Sequence, residues 1–285
     1  MYAAVLRSDA DEPDFDPLAS VRSRGVLALS AHVQDGVTRR LRVREEGALR
    51  MRFPPESPKR LDAVVVNVAG GMAGGDVYDC AFTAQAGAKL VVTSAAAEKV
   101  YRALGAPTRC DVRLRAEAGS TFLFAPQEAI LFDRVRIHRR YDIDVDPAAR
   151  LIALDAVILG RAAMGERVNT LVWRDAWRLR RDGKLLWADA TRVEGDAEKL
   201  LAHSATGAGT CAFGTLVYAA PDAAQHIEPL REVLRCVKEC EAAVTSFDGL
   251  LVARFLAHEG YRLRAALIAA VTSLPGGALP RSWST

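Results

Sequence analysis

The sequence predicts a mainly β protein, its strands stacked in roughly β-helical layers, with two α-helices in the C-terminal third. Three observations predict it. Apolar and polar residues alternate with period two from about residue 21 to 220, the pattern of strands with one buried face. A weak internal repeat recurs every 30–32 residues. Only beyond about residue 229 does the apolar spacing become helical.

Taken in order, residues 1–20 form an acidic leader. Asp9, Asp11, Glu12, Asp14 and Asp16 stand against Arg7, net −4, which leaves +7 on residues 21–285. With Pro13 and Pro17 in it, the leader is expected to be mobile. No linker composition interrupts the rest of the chain, so residues 21–285 are expected to form one domain. In "RRLRVRE", Leu41 and Val43 alternate with Arg40, Arg42 and Arg44, an arginine-rich strand with a solvated face. In "RVRIH", Val135 and Ile137 alternate with Arg136 and His138; in "YDIDVD", Tyr141, Ile143 and Val145 alternate with three aspartates. "RLRRDGKLLW" sets Asp182-Gly183 between two apolar arms, the mark of a tight hairpin.

The repeat is carried by "AQAGAKLVV" at 84–92, "AEAGSTFLF" at 116–124 and, more loosely, "DPAARLIAL" at 146–154. Gly87, Gly119 and Ala149 fall at the turns. Leu90, Phe122 and Ile152 come three residues later, and Val92, Phe124 and Leu154 two further on. Equal offsets fill the same face of three strands, as in β-layers that share one core. Ordinary hairpins with similar turns would give the same pattern.

Towards the C-terminus, Leu230, Val233, Leu234, Val237, Cys240 and Val244 keep helical spacing, with Pro229 in the first turn. "SFDGLLVARFL" reads as a turn and a strand. A second amphipathic helix runs through Leu263, Leu267, Ala270, Val271 and Leu274, closed by Pro275-Gly276-Gly277.

Several function classes are excluded or disfavoured. No apolar run approaches the roughly 18 residues of a membrane helix, and the polar, acidic N-terminus is no signal peptide; a cytoplasmic protein is expected. Five irregularly spaced cysteines argue against a disulfide framework. The glycine segment "NVAGGMAGGD" lacks the Gly-Lys-Ser/Thr of a P-loop, and it leads into a strand rather than a helix, so half the physics of a phosphate cradle is missing. The five histidines form no paired-ligand spacing. Cys236 and Cys240, four apart on the expected helix, read as thiols on an apolar stripe before they read as ligands. There is no G-x-S-x-G, and aromatics are too scarce at 7% to interleave a nucleic-acid surface.

What remains is carboxylates in unusual places. Asp76 ends the glycine segment, either as a turn cap or as something more. Asp155 interrupts "LIALDAVIL", where a charge must be paired, hydrated or bound to a cation; a core aspartate bonding a turn is the alternative. Glu98, Glu128 and Glu166 lie beside segment ends, where a surface position is expected. Stacked β-layers also serve polysaccharide lyases and hydrolases that work with paired carboxylates, and Asp76, Asp155 and Glu128 could form such a group. Trp173, Trp177, Trp187 and Trp283 show no sugar-binding ladder to go with it.

Five stretches in order resemble the urease accessory protein UreD (UreH) family. "GGMAGGD", 70–76, with Gly70, Gly71, Gly74, Gly75 and Asp76, is similar to its P-G-G-x-x-x-G-D. "AAAEKVYR", 95–102, is similar to P-G-A-x-K-x-Y-R through Lys99, Tyr101 and Arg102. "APQEAILFD" carries Gln127 and Glu128 of P-Q-E-x-I-x-F. "LDAVILGRAAMGE" carries Asp155, Gly160, Arg161, Gly165 and Glu166 of D-x-x-x-x-G-R-x-x-x-G-E. "LPRSWST" carries Arg281 and Trp283 of L-P-R-x-W-x-T. The likeness spans about residues 25–285. It departs at Val66-Asn67-Val68-Ala69, where members often carry His-Pro-Pro, and at Glu98, where a small polar residue is usual.

The resemblance implies a non-enzymatic scaffold of urease maturation. Such a scaffold holds UreF, and through it the GTPase UreG, on the urease apoprotein, and helps nickel reach the active site. It implies no contact with nucleic acid or membrane and no permanently bound cofactor. Nickel would pass transiently through an internal wet tunnel, with Asp76 and Asp155 as the matching acids and Glu98 as a further carboxylate. Oxygen ligands and water hold nickel less tightly than nitrogen and sulfur do, so a path poor in His and Cys suits transit better than storage. The glycines would let backbone pack closely at a channel mouth and bring amides to Asp76. Surface contacts with partners are expected from Gln127 and Glu128, and from Arg161 and Glu166. Ile130, Leu131 and Phe132 are expected in the core.

Overall fold

The computed structural model describes residues 21–55, 59–161 and 164–284; the acidic leader, residues 56–58, Ala162-Ala163 and Thr285 lie outside these. The chain opens with an antiparallel hairpin, β1 (Arg24–Gln34) and β2 (Val37–Gly47), around Asp35-Gly36 at φ 52° and 74°. Strands β3 (Leu49–Arg52) and β4 (Leu61–Asn67) form a second antiparallel pair.

Coiling then begins. Strand β5 (Val77–Ala84) turns at 85–88 into β6 (Lys89–Ser94) and the short β7 (Glu98–Val100). The next coil repeats this as β8 (Thr108–Ala116), β9 (Thr121–Ala125) and β10 (Ala129–Leu131), and a third begins with β11 (Arg136–Val145) and β12 (Arg150–Leu159). Like strands stack in parallel: β5 on β8 on β11, β6 on β9 on β12, and β7 on β10. The expected β-helical layers are therefore present.

The remaining elements are the hairpin β13 (Thr170–Arg181) and β14 (Lys184–Asp196) around Asp182-Gly183, helix α1 (Ala197–Ala202), β15 (Ala212–Ala219), α2 (Ile227–Arg235), β16 (Cys240–Phe247), β17 (Leu250–Ala257) and α3 (Gly260–Thr272). Among the described residues the strands make two sheets. One runs β14-β13-β11-β8-β5-β1-β2; the other runs β16-β17-β15-β12-β9-β6-β4-β3. One apolar layer fills the space between the sheets (Phe82, Phe122, Tyr141, Trp177). A second lies between the second sheet and α2 and α3 (Leu154, Leu216, Leu263, Leu267).

The repeat needs one correction. Leu90 pairs with Phe122 and Val92 with Phe124, as expected, but Phe122 then pairs with Leu151, not Ile152. The third turn has the same length as the other two but falls one residue earlier than expected. Ala88 N–H donates to Gln85 C=O, Ser120 N–H to Glu117 C=O and Ala149 N–H to Asp146 C=O, all near 2.9–3.0 Å. Ala148, not Ala149, thus stands where Gly87 and Gly119 stand. Because side chains alternate, a one-residue slip exchanges faces. Leu151 and Ala153 join the layer between the sheets, and Ile152 and Leu154 face the helices.

The helical stripe expected through Val244 is also cut short. Helix α2 stops at Arg235, and Glu239 turns the chain with φ 61°. Cys240 and Val244 sit on β16 and pair with Ala257 and Ala253 of β17. Cys236 and Cys240 therefore do not share a helix. The β-branched content of "CEAAVTSF" and the open edge of β17 outweigh the helical period. Helix α1, capped by Asp196 Oδ1 accepting the Lys199 N–H at 2.9 Å, is not predicted by the sequence pattern; six residues are too few to show a period. None of the described helices is long and apolar enough to cross a membrane.

Candidate functional site

The glycine segment is a packed turn. Met72 N–H donates to Lys99 C=O at 2.7 Å and Tyr101 N–H to Met72 C=O at 2.8 Å, which lays residues 70–75 along the chain at 99–103. A Cβ on Gly71 would stand 2.4 Å from the Tyr101 ring, and one on Gly74 would stand 2.5 Å from the Ala103 Cβ and 2.7 Å from its Cα. Glycine is required there because two backbones touch. Gly70 and Gly75 turn the chain at φ 76° and 86°, and the Tyr101 hydroxyl donates to the Gly70 carbonyl at 2.9 Å.

This turn serves Asp76, which is 4% exposed. Its Oδ1 accepts the Ser23 N–H at 2.7 Å; its Oδ2 accepts the Ala73 N–H at 2.8 Å and the Tyr78 hydroxyl at 3.2 Å. Both oxygens are engaged. Asp76 anchors the start of β1 to the glycine turn, and it takes no part in the walls of the cavity nearby.

That cavity, of about 120 Å³, lies between the sheets and is walled by Glu98, Asp155, Arg139, Tyr78, Cys110 and Gln127 among others. It has room for several water molecules. Glu98 Oε1 accepts from Asn67 Nδ2 at 3.1 Å. Burial pushes the Glu98 carboxyl up to about 7, against the Asn67 hydrogen bond and the amide and charge of Lys99. The two departures from the family motifs thus meet: Asn67, in the stretch that often carries His-Pro-Pro, holds the carboxylate that replaces a small polar residue.

Asp155 is buried and paired. Arg139 Nη1 and Nη2 donate to its two oxygens at 2.9 and 2.6 Å, and the Tyr141 hydroxyl donates to Oδ1 at 3.0 Å. The same guanidinium donates through Nε to Asp175 Oδ1 at 2.8 Å and through Nη2 to Asp175 Oδ2. One cation serves two buried acids. Burial pushes Asp175 up while Arg139 pulls it back. Burial lifts the Cys110 thiol to about 12, so that sulfur stays protonated. Among the described residues, no three His, Cys, Asp or Glu side chains gather closely enough to hold a metal ion.

A second site is a surface cleft of about 660 Å³ walled by Arg22, Tyr101, Arg102, Leu104, Phe132, Asp133, Arg134, Arg161 and Glu166. Three of the motif stretches meet in it. Tyr101 and Phe132 stand edge to face with centroids 5.1 Å apart, and the Arg161 guanidinium lies 4.3 Å above the Phe132 ring. Glu166 Oε2 accepts from Arg161 Nε at 2.7 Å. Asp133 Oδ1 accepts the Asn169 and Thr170 N–H groups at 2.7 and 3.0 Å. Burial pushes both carboxyls up, but these partners outweigh it and hold them below their usual range. Both acids are committed, whereas Arg102 and Arg134 are exposed; Arg134 reaches Asp133 only at 3.6 Å. Gly160 closes the bend below, where a Cβ would come 2.7 Å from the Glu166 carbonyl; Gly165 turns the chain in open space.

The Gln127-Glu128 and C-terminal motifs also meet, through a residue that sequence reasoning missed. Arg264 of α3 donates from Nη1 to Gln127 Oε1 at 2.6 Å and to Glu128 Oε1 at 2.9 Å, and from Nη2 to the Ser282 carbonyl at 3.3 Å. Its guanidinium lies 4.5 Å over the Trp283 ring, whose Nε1–H donates to the Ala125 carbonyl at 3.0 Å. Glu128, expected at the surface, is 8% exposed, and Gln127 is 7% exposed. Leu131 is fully buried; Ile130 and Phe132 are half-buried. Lys99 and Arg281 face solvent. Asp76, Asp155 and Glu128 are each held by partners of their own: Ser23, Ala73 and Tyr78 for Asp76, Arg139 and Tyr141 for Asp155, and Arg264 for Glu128.

Comparison with known proteins agrees with the motif order. The family model described as UreD urease accessory protein matches residues 23–284. A protein named urease accessory protein UreD 3, from Bradyrhizobium sp. (strain BTAi1), is 42% identical over 278 residues, covering 98% of this chain and 99% of its own. Urease accessory protein UreD of Bradyrhizobium diazoefficiens is 44% identical over 262 residues, 92% of this chain and 94% of its own. That of Xanthobacter autotrophicus is 42% identical over 287 residues, 99% of each.

Proposed function

This chain belongs to the UreD family of urease accessory proteins, and on that premise we propose that it serves urease maturation as a non-catalytic scaffold in the cytoplasm. It recruits UreF, and through UreF the GTPase UreG, to the urease apoprotein, and it helps nickel reach that enzyme's active site. The observation that carries the reading is the convergence of Tyr101, Arg102, Arg161 and Glu166, from distant stretches of sequence, on one open cleft. Planar guanidinium groups beside exposed aromatic and aliphatic surface are typical anchors of protein interfaces.

Nickel is cargo in this reading. The cavity offers the oxygens of Glu98 and Asp155, and burial keeps the thiols on its walls, Cys80 and Cys110, protonated and poor as ligands, so it gives a shallow well from which an ion can leave. Glu98 is the most available donor: the Asn67 side chain and the Lys99 amide hold it, neither of them charged, and a carboxyl titrating near 7 can exchange its proton for a cation near neutral pH. Asp155 becomes available only when Arg139 turns wholly to Asp175. Asp76 would have to give up two main-chain donors, which makes it the least available of the three.

Co-expression with the urease subunits and the other accessory proteins tests both parts. Exchanging Arg102 and Arg161 for Glu is expected to abolish co-purification of at least one partner. The pair Glu98→Gln and Asp155→Asn is expected to keep the assembly and lower urease nickel content when nickel is limiting. Full nickel loading by that pair would remove the nickel path; unchanged co-purification by the arginine variants would remove the cleft from the contacts.

A further inference from the structure

Among the described residues, the four most exposed large apolar side chains are Leu104 (73%), Met164 (72%), Val21 (71%) and Val68 (60%). They come from four separate stretches of sequence, yet all border the surface cleft. Leu104 is part of its wall. Met164 lies in the turn between the wall residues Arg161 and Glu166, and Val21 adjoins the wall at Arg22. Val68 stands two residues before Gly70, whose carbonyl accepts the Tyr101 hydroxyl at 2.9 Å. Single exposed apolar side chains are ordinary on a protein surface, whereas a group of them around one cleft marks an interaction site. We infer that this cleft and its apolar border dock an acidic amphipathic segment of a partner protein, its carboxylates on Arg102 and Arg134 and its aliphatic side chains on Leu104 and Met164.

Charge selects the partner. Arg161 is taken up by Glu166 and the Phe132 ring. Asp133 Oδ1 already accepts two amides, and Arg134 reaches Asp133 only at 3.6 Å. Arg102 is exposed and makes no ion pair among the described residues. Two guanidinium groups therefore remain for carboxylates from outside, and their planar forks suit that acceptor. Arg134 is also held in place: its backbone has φ 61°, its N–H donates to the Thr170 carbonyl at 2.7 Å, and its carbonyl accepts the Ala103 N–H at 3.0 Å. A left-handed backbone is costly for any residue with a Cβ, and here it carries a long cation between the two stretches that wall the cleft. A second copy docking about a two-fold axis would bring these arginines against their own kind. A lipid surface is flat and would meet the apolar border while leaving the cleft behind it. The inference rests on the scaffold reading above and names the chemistry of the segment that the scaffold holds.

The test uses the full-length chain, co-expressed with the urease subunits and the other accessory proteins. Leu104 or Met164 is exchanged for the photoreactive residue p-benzoylphenylalanine, and crosslinked peptides are sequenced by mass spectrometry. Both positions are expected to crosslink to one segment of a partner protein in which Asp and Glu outnumber Lys and Arg. Leu185, 56% exposed on β14 and outside the cleft, is the control position and is expected to miss that segment. Arg102→Gln, a change at an exposed side chain, should lower the crosslink yield about threefold. Arg102→Glu with Arg134→Glu should lower it about tenfold or more, and exchanging two acids of the crosslinked segment for Lys should restore it. A basic or neutral segment, a crosslink to lipid or to a second copy, or yields unmoved by the arginine changes each overturn the inference. An intact assembly whose crosslinks arise at Leu185 and not at Leu104 or Met164 overturns it and leaves the scaffold reading standing. A native chain that co-purifies with no partner removes the scaffold reading, and the inference with it.

Discussion

Arg139 and Asp155 hold one another by both ends: two guanidinium nitrogens meet two carboxylate oxygens at 2.9 and 2.6 Å, across strands whose neighbours are otherwise apolar. Arg139 also faces Asp175 directly across the β11–β13 pairing. A planar fork is needed to serve both acids at once, so lysine would be no substitute.

Removal of Arg139 is therefore expected to cost more than removal of either acid. Arg139→Met leaves two buried carboxylates without a counter-ion, and about 3–5 kcal/mol of stability should be lost. Adding Asp155→Asn and Asp175→Asn should restore more than half of it. Urea unfolding midpoints at unchanged slope are the measurement. A fully stable Arg139→Met would mean that water enters and solvates the acids.

Glu98 makes stability fall as pH rises. Its folded carboxyl titrates near 7, above the 4.5 of the unfolded chain, so between these values the folded state holds a proton that the unfolded state has released. Stability from this group is full below about pH 4.5 and is lost as pH climbs to 7, on the order of 3 kcal/mol in all. Glu98→Gln should remove that slope, gaining relative to the native chain at pH 8 and not at pH 4.5. The comparison of the two unfolding curves across this window checks it.

Gly74 should tolerate no side chain, whereas Gly105 should. Neither has a positive φ; a Cβ on Gly74 meets the Ala103 backbone at 2.7 Å, and one on Gly105 meets nothing within 4 Å. Gly74→Ala is expected to cost about 1–3 kcal/mol through overpacking, and Gly105→Ala to be neutral or stabilising by up to about 1 kcal/mol through lost chain entropy. Thermal midpoints of the two single variants decide it.

Arg264→Ala should free the C-terminal segment. Gln127, Glu128 and the Ser282 carbonyl lose their common donor, and Trp283 loses the guanidinium above its ring. A loss of about 2–3 kcal/mol is expected, since a buried carboxylate is left unpaired. A red shift in tryptophan emission should accompany it. Trp283→Phe, which keeps a ring and drops the Ala125 hydrogen bond, should cost only about 1 kcal/mol.

The layered fold is legible in the sequence because strands stacked in parallel repeat their turns, and Gly87 and Gly119 mark two of them. The third turn is misplaced by one residue because Ala148 and Ala149 look alike where a glycine would have fixed the register. Arg139 and Asp175 are readable in principle. Arg139 shares its phase with Val135, Ile137, Tyr141 and Ile143, and Asp175 shares its phase with Leu171, Trp173, Trp177 and Leu179, all of them buried. Two opposite charges in the inward phase of neighbouring strands are a buried ion pair in outline. Asp76's task is not legible, because its donors Ser23 and Ala73 contribute main-chain atoms, which any residue would carry. Arg264 cannot be found from sequence either, since its partners Glu128 and Gln127 lie 136 and 137 positions away.

The strand β2 closes one flank of the first sheet, and from Arg39 to Gly47 every residue on it is exposed. Its outer rim offers unpaired main-chain groups to any passing strand, and Leu41 and Val43 would welcome one. Arg39, Arg40, Arg42, Arg44, Glu45 and Glu46 make that rim densely charged, so a second strand arriving there would have to desolvate charge along its whole length. A sheet has no inherent reason to stop growing at an open edge, and charged side chains along the edge are a device by which proteins keep one molecule from serving as the template for the next.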